Sequence, residues 1–123
     1  PRVVRDSIRF MLASTDQRPL RLKPDAVVFT REELSRILGL YGQFVAAGEW
    51  RDYAIDHLKE AAVFSIFRRA AETPLYRIEK RPTLANRQGA FAVLSMSGTT
   101  LKRGHDLGQV LRLFDRQRLR LAE

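Results

Sequence analysis

The spacing of apolar positions changes several times along this chain, and each change marks an element. Up to Pro24 no period is sustained: Arg2, Arg5, Arg9, Arg18, Arg21 and Lys23 are scattered among short apolar pairs, with Pro19 and Pro24 as breakers. Residues 1–24 therefore read as a flexible or edge arm beside a single domain spanning 25–123. Ala26-Val27-Val28-Phe29 is a short β-type run. Thr30-Arg31-Glu32-Glu33 follows at once, a capping box in which the Thr30 hydroxyl accepts from the Glu33 amide while Glu33 reaches back, so a helix starts there. Leu34, Ile37, Leu38, Tyr41, Phe44 and Val45 recur at helical spacing, and Gly48 stands where a left-handed C-cap is wanted.

After Gly48 the period shortens. Trp50 to Leu58 reads as a strand with Tyr53, Ile55 and His57 on one face, although Asp52 and Asp56 at i,i+4 suit a helix equally well. Val63-Phe64-Ser65-Ile66-Phe67 and Leu75-Tyr76-Arg77-Ile78 are β-rich runs around a five-residue loop, Ala70 to Pro74. With Arg69 opposite Leu75, Phe64, Ile66, Tyr76 and Ile78 share a buried face, and Ser65, Phe67, Arg69, Arg77, Glu79 and Arg81 share a wet one. A second hairpin, Ala90 to Met96 and Thr99 to Arg103, turns at Ser97-Gly98, with Ala92, Leu94, Met96 and Leu101 as its apolar face. Asp106-Leu107-Gly108-Gln109 offers a second capping box before the stripe Leu107, Val110, Leu111 and Phe114. Arg118 to Leu121 alternates with period two and reads as an edge strand. The sum is an α+β fold: one N-terminal helix, an antiparallel meander of four to five strands, and one C-terminal helix. Its expected core is Val27, Phe29, Leu34, Ile37, Leu38, Tyr41, Phe64, Ile66, Ile78, Leu94, Leu101, Val110, Leu111 and Phe114.

Composition narrows the class. The 123 residues include no cysteine, which removes disulfides, thiolate metal sites and a cysteine nucleophile and points to a reducing compartment. No run approaches the roughly 20 apolar residues that cross a bilayer, and Pro1 to Asp6 lacks the apolar core of a signal peptide, so the expected location is cytoplasmic, with no membrane partner. Gly98 and Gly104 are wrongly spaced for a phosphate-binding loop and His105 follows instead of Lys. The serine-hydrolase elbow and the zinc-protease helix motif are both absent. With His57 and His105 the only histidines, a metal site would need Asp52 or Asp56 to complete it, so no cofactor or metal is expected.

Four segments carry a resemblance: Glu49 to His57 (EWRDYAIDH), Phe64 to Arg69 (FSIFRR), Pro74 to Pro82 (PLYRIEKRP) and Leu101 to Leu107 (LKRGHDL). Together they resemble a family of short alphaproteobacterial proteins catalogued as a domain of unknown function, over about Val27 to Leu121. The resemblance implies a bacterial cytoplasmic protein and brings no catalytic residue with it.

Charge gives the remaining direction. The formal net charge is +8, of which residues 1–67 carry +1 and residues 68–123 carry +7. Arg68, Arg69, Arg77, Lys80 and Arg81 cluster at the first hairpin and Lys102 and Arg103 at the second, interleaved with Phe67 and Phe91 on faces read as wet. Basic strands with exposed aromatics suit single-stranded RNA or DNA, whose phosphates they hold and whose bases they stack. Against this stands the plain reading that 18 Arg beside 4 Lys reflects genome composition. Gly104 and His105, before a helix start, could bind an anion or simply form a turn. Tyr53, His57 and Tyr76 read as half-buried packing residues, Asp52 and Asp56 as a solvated pair, and Trp50 as a core lid. The leading function is binding, by a protein-interaction or regulatory module with a protein partner or a second copy of itself. Nucleic-acid binding through the basic hairpins is the alternative, and an enzyme of unrecognised type the third reading.

Overall fold

Helix and sheet both follow from the chemistry at their ends. The computed structural model describes residues 25–68 and 73–121 together with the backbone of Ser7–Met11, so Arg69 and the expectations for the rest of the arm lie outside the described residues. Thr30 is extended, its hydroxyl accepts from the Glu33 amide at 3.1 Å, and Glu33 Oε1 accepts from the Thr30 amide at 2.8 Å. This reciprocal cap starts α1 (Arg31–Ala46) where the sequence places it. At the other end the Gly48 amide donates to Val45 O and the Glu49 amide to Phe44 O, with Gly48 at φ +79°, a left-handed closure that suits glycine. The closure folds the chain back so that Trp50 stacks on Phe44 at 4.3 Å between ring centroids.

Six strands form one antiparallel sheet in chain order: β1 (Ser7–Met11), β2 (Asp52–His57), β3 (Ala62–Phe67), β4 (Tyr76–Lys80), β5 (Phe91–Ser95) and β6 (Thr100–Gly104). The expected meander is β2 to β6, and β1, from the arm, adds a strand at its β2 edge. Ala26 to Phe29, read as a β-type run, joins no strand; the Val27 amide donates instead to Leu58 O at 2.8 Å. After β6 the chain forms α2 (Leu107–Leu111), a 3-10 turn (Arg112–Phe114) and α3 (Asp115–Leu121). Asp106 caps α2 through the Gly108 amide, a simple N-cap, and neither bond of the expected box with Gln109 occurs among the described residues. Arg118 to Leu121 is helical and not an edge strand, because Arg116 to Leu121 carries no turn signal and continues the preceding helical segment.

Helices cover one face of the sheet. Ile55 stands opposite Phe64, Phe64 opposite Ile78 and Ile78 opposite Val93, a buried row beneath Ile37, Tyr41, Phe44, Val110 and Phe114. Phe114 packs edge-on against Tyr76, Trp50 and Phe44, which joins the C-terminal helices to α1 through one aromatic cluster. Ten of the fourteen expected core residues are buried. Val27, Leu34 and Leu38 pack at its margin and Leu101 is 42% exposed.

Three side-chain expectations are corrected. Ser65 pairs with Arg77, two residues from the expected register, and because a shift of two preserves the side-chain faces the Phe64/Ile66/Ile78 face is buried as expected. In the second hairpin Phe91 and Val93, not Ala92 and Leu94, face the helices, while Met96 is exposed. The register slips between Val93 and Leu94, a bulge that leaves Leu101 as the extra residue and moves it out of the expected face. Finally, the face away from the helices is not wet at its centre: Asp52, Asp56, Ser65, Phe67 and Glu79 are all buried. Strand alternation assigns residues to a face without saying whether water reaches it.

Candidate protein-interaction surface

The basic residues of the hairpins divide between the two faces, and several are engaged by other described residues. Lys80 lies on the helix side, where Nζ donates to Glu33 Oε1 at 2.8 Å and to Val28 O at 2.9 Å, tying β4 to the start of α1. Arg81 pairs with the buried carboxylate of Glu79 at 3.0 Å. Arg77 and Arg103 share the opposite face; Arg103 donates to Gly89 O, and Arg77 extends toward the turn at Gly98. Arg68 is exposed at the end of β3. Lys102 alone of these points into an open cleft on the helix side.

That cleft encloses about 450 Å³ and is lined by Lys102, Gln109, Arg112 and Leu113. β6 forms its floor at the sheet edge, and α2 with the following 3-10 turn forms its wall. Lys102 and Arg112 are exposed and neither makes an ion pair among the described residues. Arg112, Arg116 and Arg120 follow at i,i+4 along the helical segment, all exposed, so a line of cations continues from the cleft. Leu101 beside the cleft and Leu119 on α3, 72% exposed, add aliphatic surface. Arg112 and Leu113 were not singled out from sequence as members of a site. Reading the segment from Arg112 onward as helix would have shown the cationic repeat.

A smaller cleft, about 260 Å³, lies between the start of α1 and the turn before α2, lined by residues that include Glu32, Glu33, Arg36, His105 and Asp106. His105 is exposed there, and an anion beside it would face three carboxylates. Gly104 is set beneath α2, where a Cβ would lie 3.2 Å from Val110 Cγ2. Gly89, at φ +111°, touches the Gly104 backbone so closely that any Cβ would collide with it.

Tyr53, His57 and Tyr76 line neither of these two clefts. Tyr53 stacks on Phe64 at 4.8 Å and meets Tyr41 edge-on, whereas Tyr76 packs on Phe114 and Trp50. Burial, with Asp52 and Tyr53 nearby, pushes the Tyr41 phenol up to about 12, and burial and Asp52 likewise raise Tyr53. His57 is held below its ordinary value by burial, against the opposing pull of Asp56. Asp52 and Asp56, read as a solvated pair, are among the most buried polar residues, and the Tyr53 amide donates to Asp52 Oδ1 at 2.9 Å. Trp50 is buried, as a core lid should be. No group of three or more potential metal ligands occurs among the described residues, and none of their helices is long and apolar enough to cross a membrane.

These features define an α+β protein, a single antiparallel meander with its helices on one face and a cationic cleft at the last strand. The chain belongs to the family described as "Protein of unknown function (DUF2794)", whose model matches residues 27–111, from the approach to α1 through the end of α2. No curated protein and no solved structure matches it.

Proposed function

We propose that this chain is a protein-binding module of the bacterial cytoplasm, engaging its partner through the surface formed by β6 and the C-terminal helices. The observation that carries this reading is the placement of the aromatic residues: none of the described aromatic side chains is exposed. Binding single-stranded nucleic acid without sequence preference relies on aromatic faces that stack bases. Phe67 is buried and Phe91 packs against the core, so the two candidates for that role are taken up by folding. Lys80 and Arg81 are likewise committed to Glu33 and Glu79. What the surface offers instead is exposed cations that no described residue pairs with, beside aliphatic side chains, a combination that suits an acidic protein partner. The cysteine-free composition supports a reducing compartment.

A photo-crosslinking side chain at Leu101, with Met96 at the hairpin tip as control, tests the reading in cells. A discrete protein adduct from position 101 that is weakened by Lys102→Glu is expected. Crosslinking to nucleic acid from that position, or no adduct there or at other exposed positions on β6, α2 and α3, would overturn it.

A further inference from the structure

The outer edge of β6 has a hydrogen-bonding pattern that the register makes explicit. The Arg81 amide donates to Ala90 O, so in the alternating ladder Ala90, Ala92 and Leu94 turn their backbone groups toward β4, and Phe91 and Val93 turn theirs toward β6. Val93 pairs with Lys102 and Phe91 with Gly104. The N–H and C=O groups of Thr100 and Arg103, opposite Leu94 and Ala92, therefore point out of the sheet, and no described residue takes them up. The cleft of about 450 Å³ with Lys102 and Arg112 opens along this same edge.

We infer that this edge accepts an extended acidic protein segment, which adds to the sheet beside β6 and places its carboxylates against Lys102 and Arg112 and an aliphatic side chain against Leu101 and Leu113. This deepens the protein-binding reading and rests on it. Strand addition uses backbone bonds for affinity and alternate side chains for selection. Here the selection is by charge. A second copy of this chain pairing antiparallel through the same edge, centred on the regular stretch at Arg103, would bring two Lys102 and two Arg103 side chains together, and a lysine on an edge strand disfavours such pairing. An acidic strand meets the opposite situation, in which Lys102, which repels a second copy, becomes a counter-charge together with Arg112. The bulge between Val93 and Leu94 limits the regular edge to the stretch around Arg103, so the added segment is short.

The test uses the full chain and three fluorescent ten-residue probes: a peptide alternating Glu with Val and Leu, the same peptide with Lys for Glu, and oligo(dT). Binding is followed by fluorescence anisotropy, and the bound complex by amide hydrogen exchange. Expected is binding of the acidic peptide with new protection at the Thr100 and Arg103 amides. Lys102→Glu with Arg112→Glu should weaken it at least about tenfold and let the lysine peptide bind instead. Both substitutions are at exposed positions, and unchanged circular dichroism shows that the fold persists. Equal binding of the acidic peptide to both proteins, or binding without protection at those two amides, would overturn the inference. So would tighter binding of oligo(dT) that the double substitution abolishes, which would make the edge a nucleic-acid surface. A protein adduct from Leu101 in cells, combined with failure of the peptide arm, would sink strand addition while leaving the broader protein-binding reading in place.

Discussion

One buried and one half-buried polar side chain show how single residues set the behaviour of this protein. The Tyr41 hydroxyl is buried with no hydrogen-bond partner among the described residues, and its ring packs against Trp50, Tyr53 and Phe64. A buried hydroxyl that makes no bond costs its desolvation, so Tyr41→Phe should leave stability unchanged or raise it by about 1–2 kcal/mol, read from urea unfolding. A loss of similar size would mean that the hydroxyl bonds an ordered water. His57 gives a pH signature. Because burial lowers its folded value below the ordinary 6.5, the unfolded chain takes up this proton first as pH falls. Its contribution to stability is full above about pH 6.5 and is lost as the pH drops through the folded value. Unfolding free energies at pH 7.5 and 5.5 should therefore diverge less in His57→Gln than in the parent, and equal divergence would contradict the assignment. At this scale the sequence was legible wherever chemistry is local. The Thr30/Glu33 box and Gly48 each depend on neighbours within a few residues, whereas the burial of Asp52 and Asp56 depends on what lies across a sheet face, which no local pattern encodes.

Elements were legible from periodicity and misread where periodicity is ambiguous. Arg118-Leu119-Arg120-Leu121 alternates, yet it is the last turn of a helix, since four residues are too few to separate the two periods when one side is solvent. The first hairpin kept its faces despite a register two residues from the expected one, because faces depend only on parity. Parity failed in the second hairpin, where the bulge adds a residue that sequence spacing does not announce. The close approach of Gly89 to Gly104 locks the connector after β4 against the end of β6. Gly89→Ala combines a backbone collision with a left-handed φ and should destabilise by ~3 kcal/mol or more, seen as a large drop in Tm. Gly42→Ala, on α1 with open space at its Cβ, should instead be neutral or stabilising by up to ~1 kcal/mol. If both substitutions behaved alike, the contact at Gly89 would not be what demands glycine.

For the molecule as a whole, charge asymmetry was visible in the sequence but its location was not. The +7 of the C-terminal half suggested the hairpins, and folding redistributes it: Lys80 and Arg81 are consumed by Glu33 and Glu79, while Lys102, Arg112, Arg116 and Arg120 remain exposed along β6 and the C-terminal helices. The Arg81–Glu79 pair is two residues apart on one face, but the pair between Glu33 and Lys80 arises only once the helix is docked on the sheet, so spacing alone could not have shown that Lys80 is engaged. The aromatic interleaving that favoured nucleic acid dissolved in the same way, when Phe67 and Phe91 found neighbours to pack against. One surface therefore carries the proposed binding. The most direct test maps the acidic peptide's footprint by backbone amide NMR shifts. Changes confined to Thr100–Arg103 and Gln109–Leu113 are predicted, and changes centred on Arg68, Arg77 and Arg81, or none on β6, would contradict it.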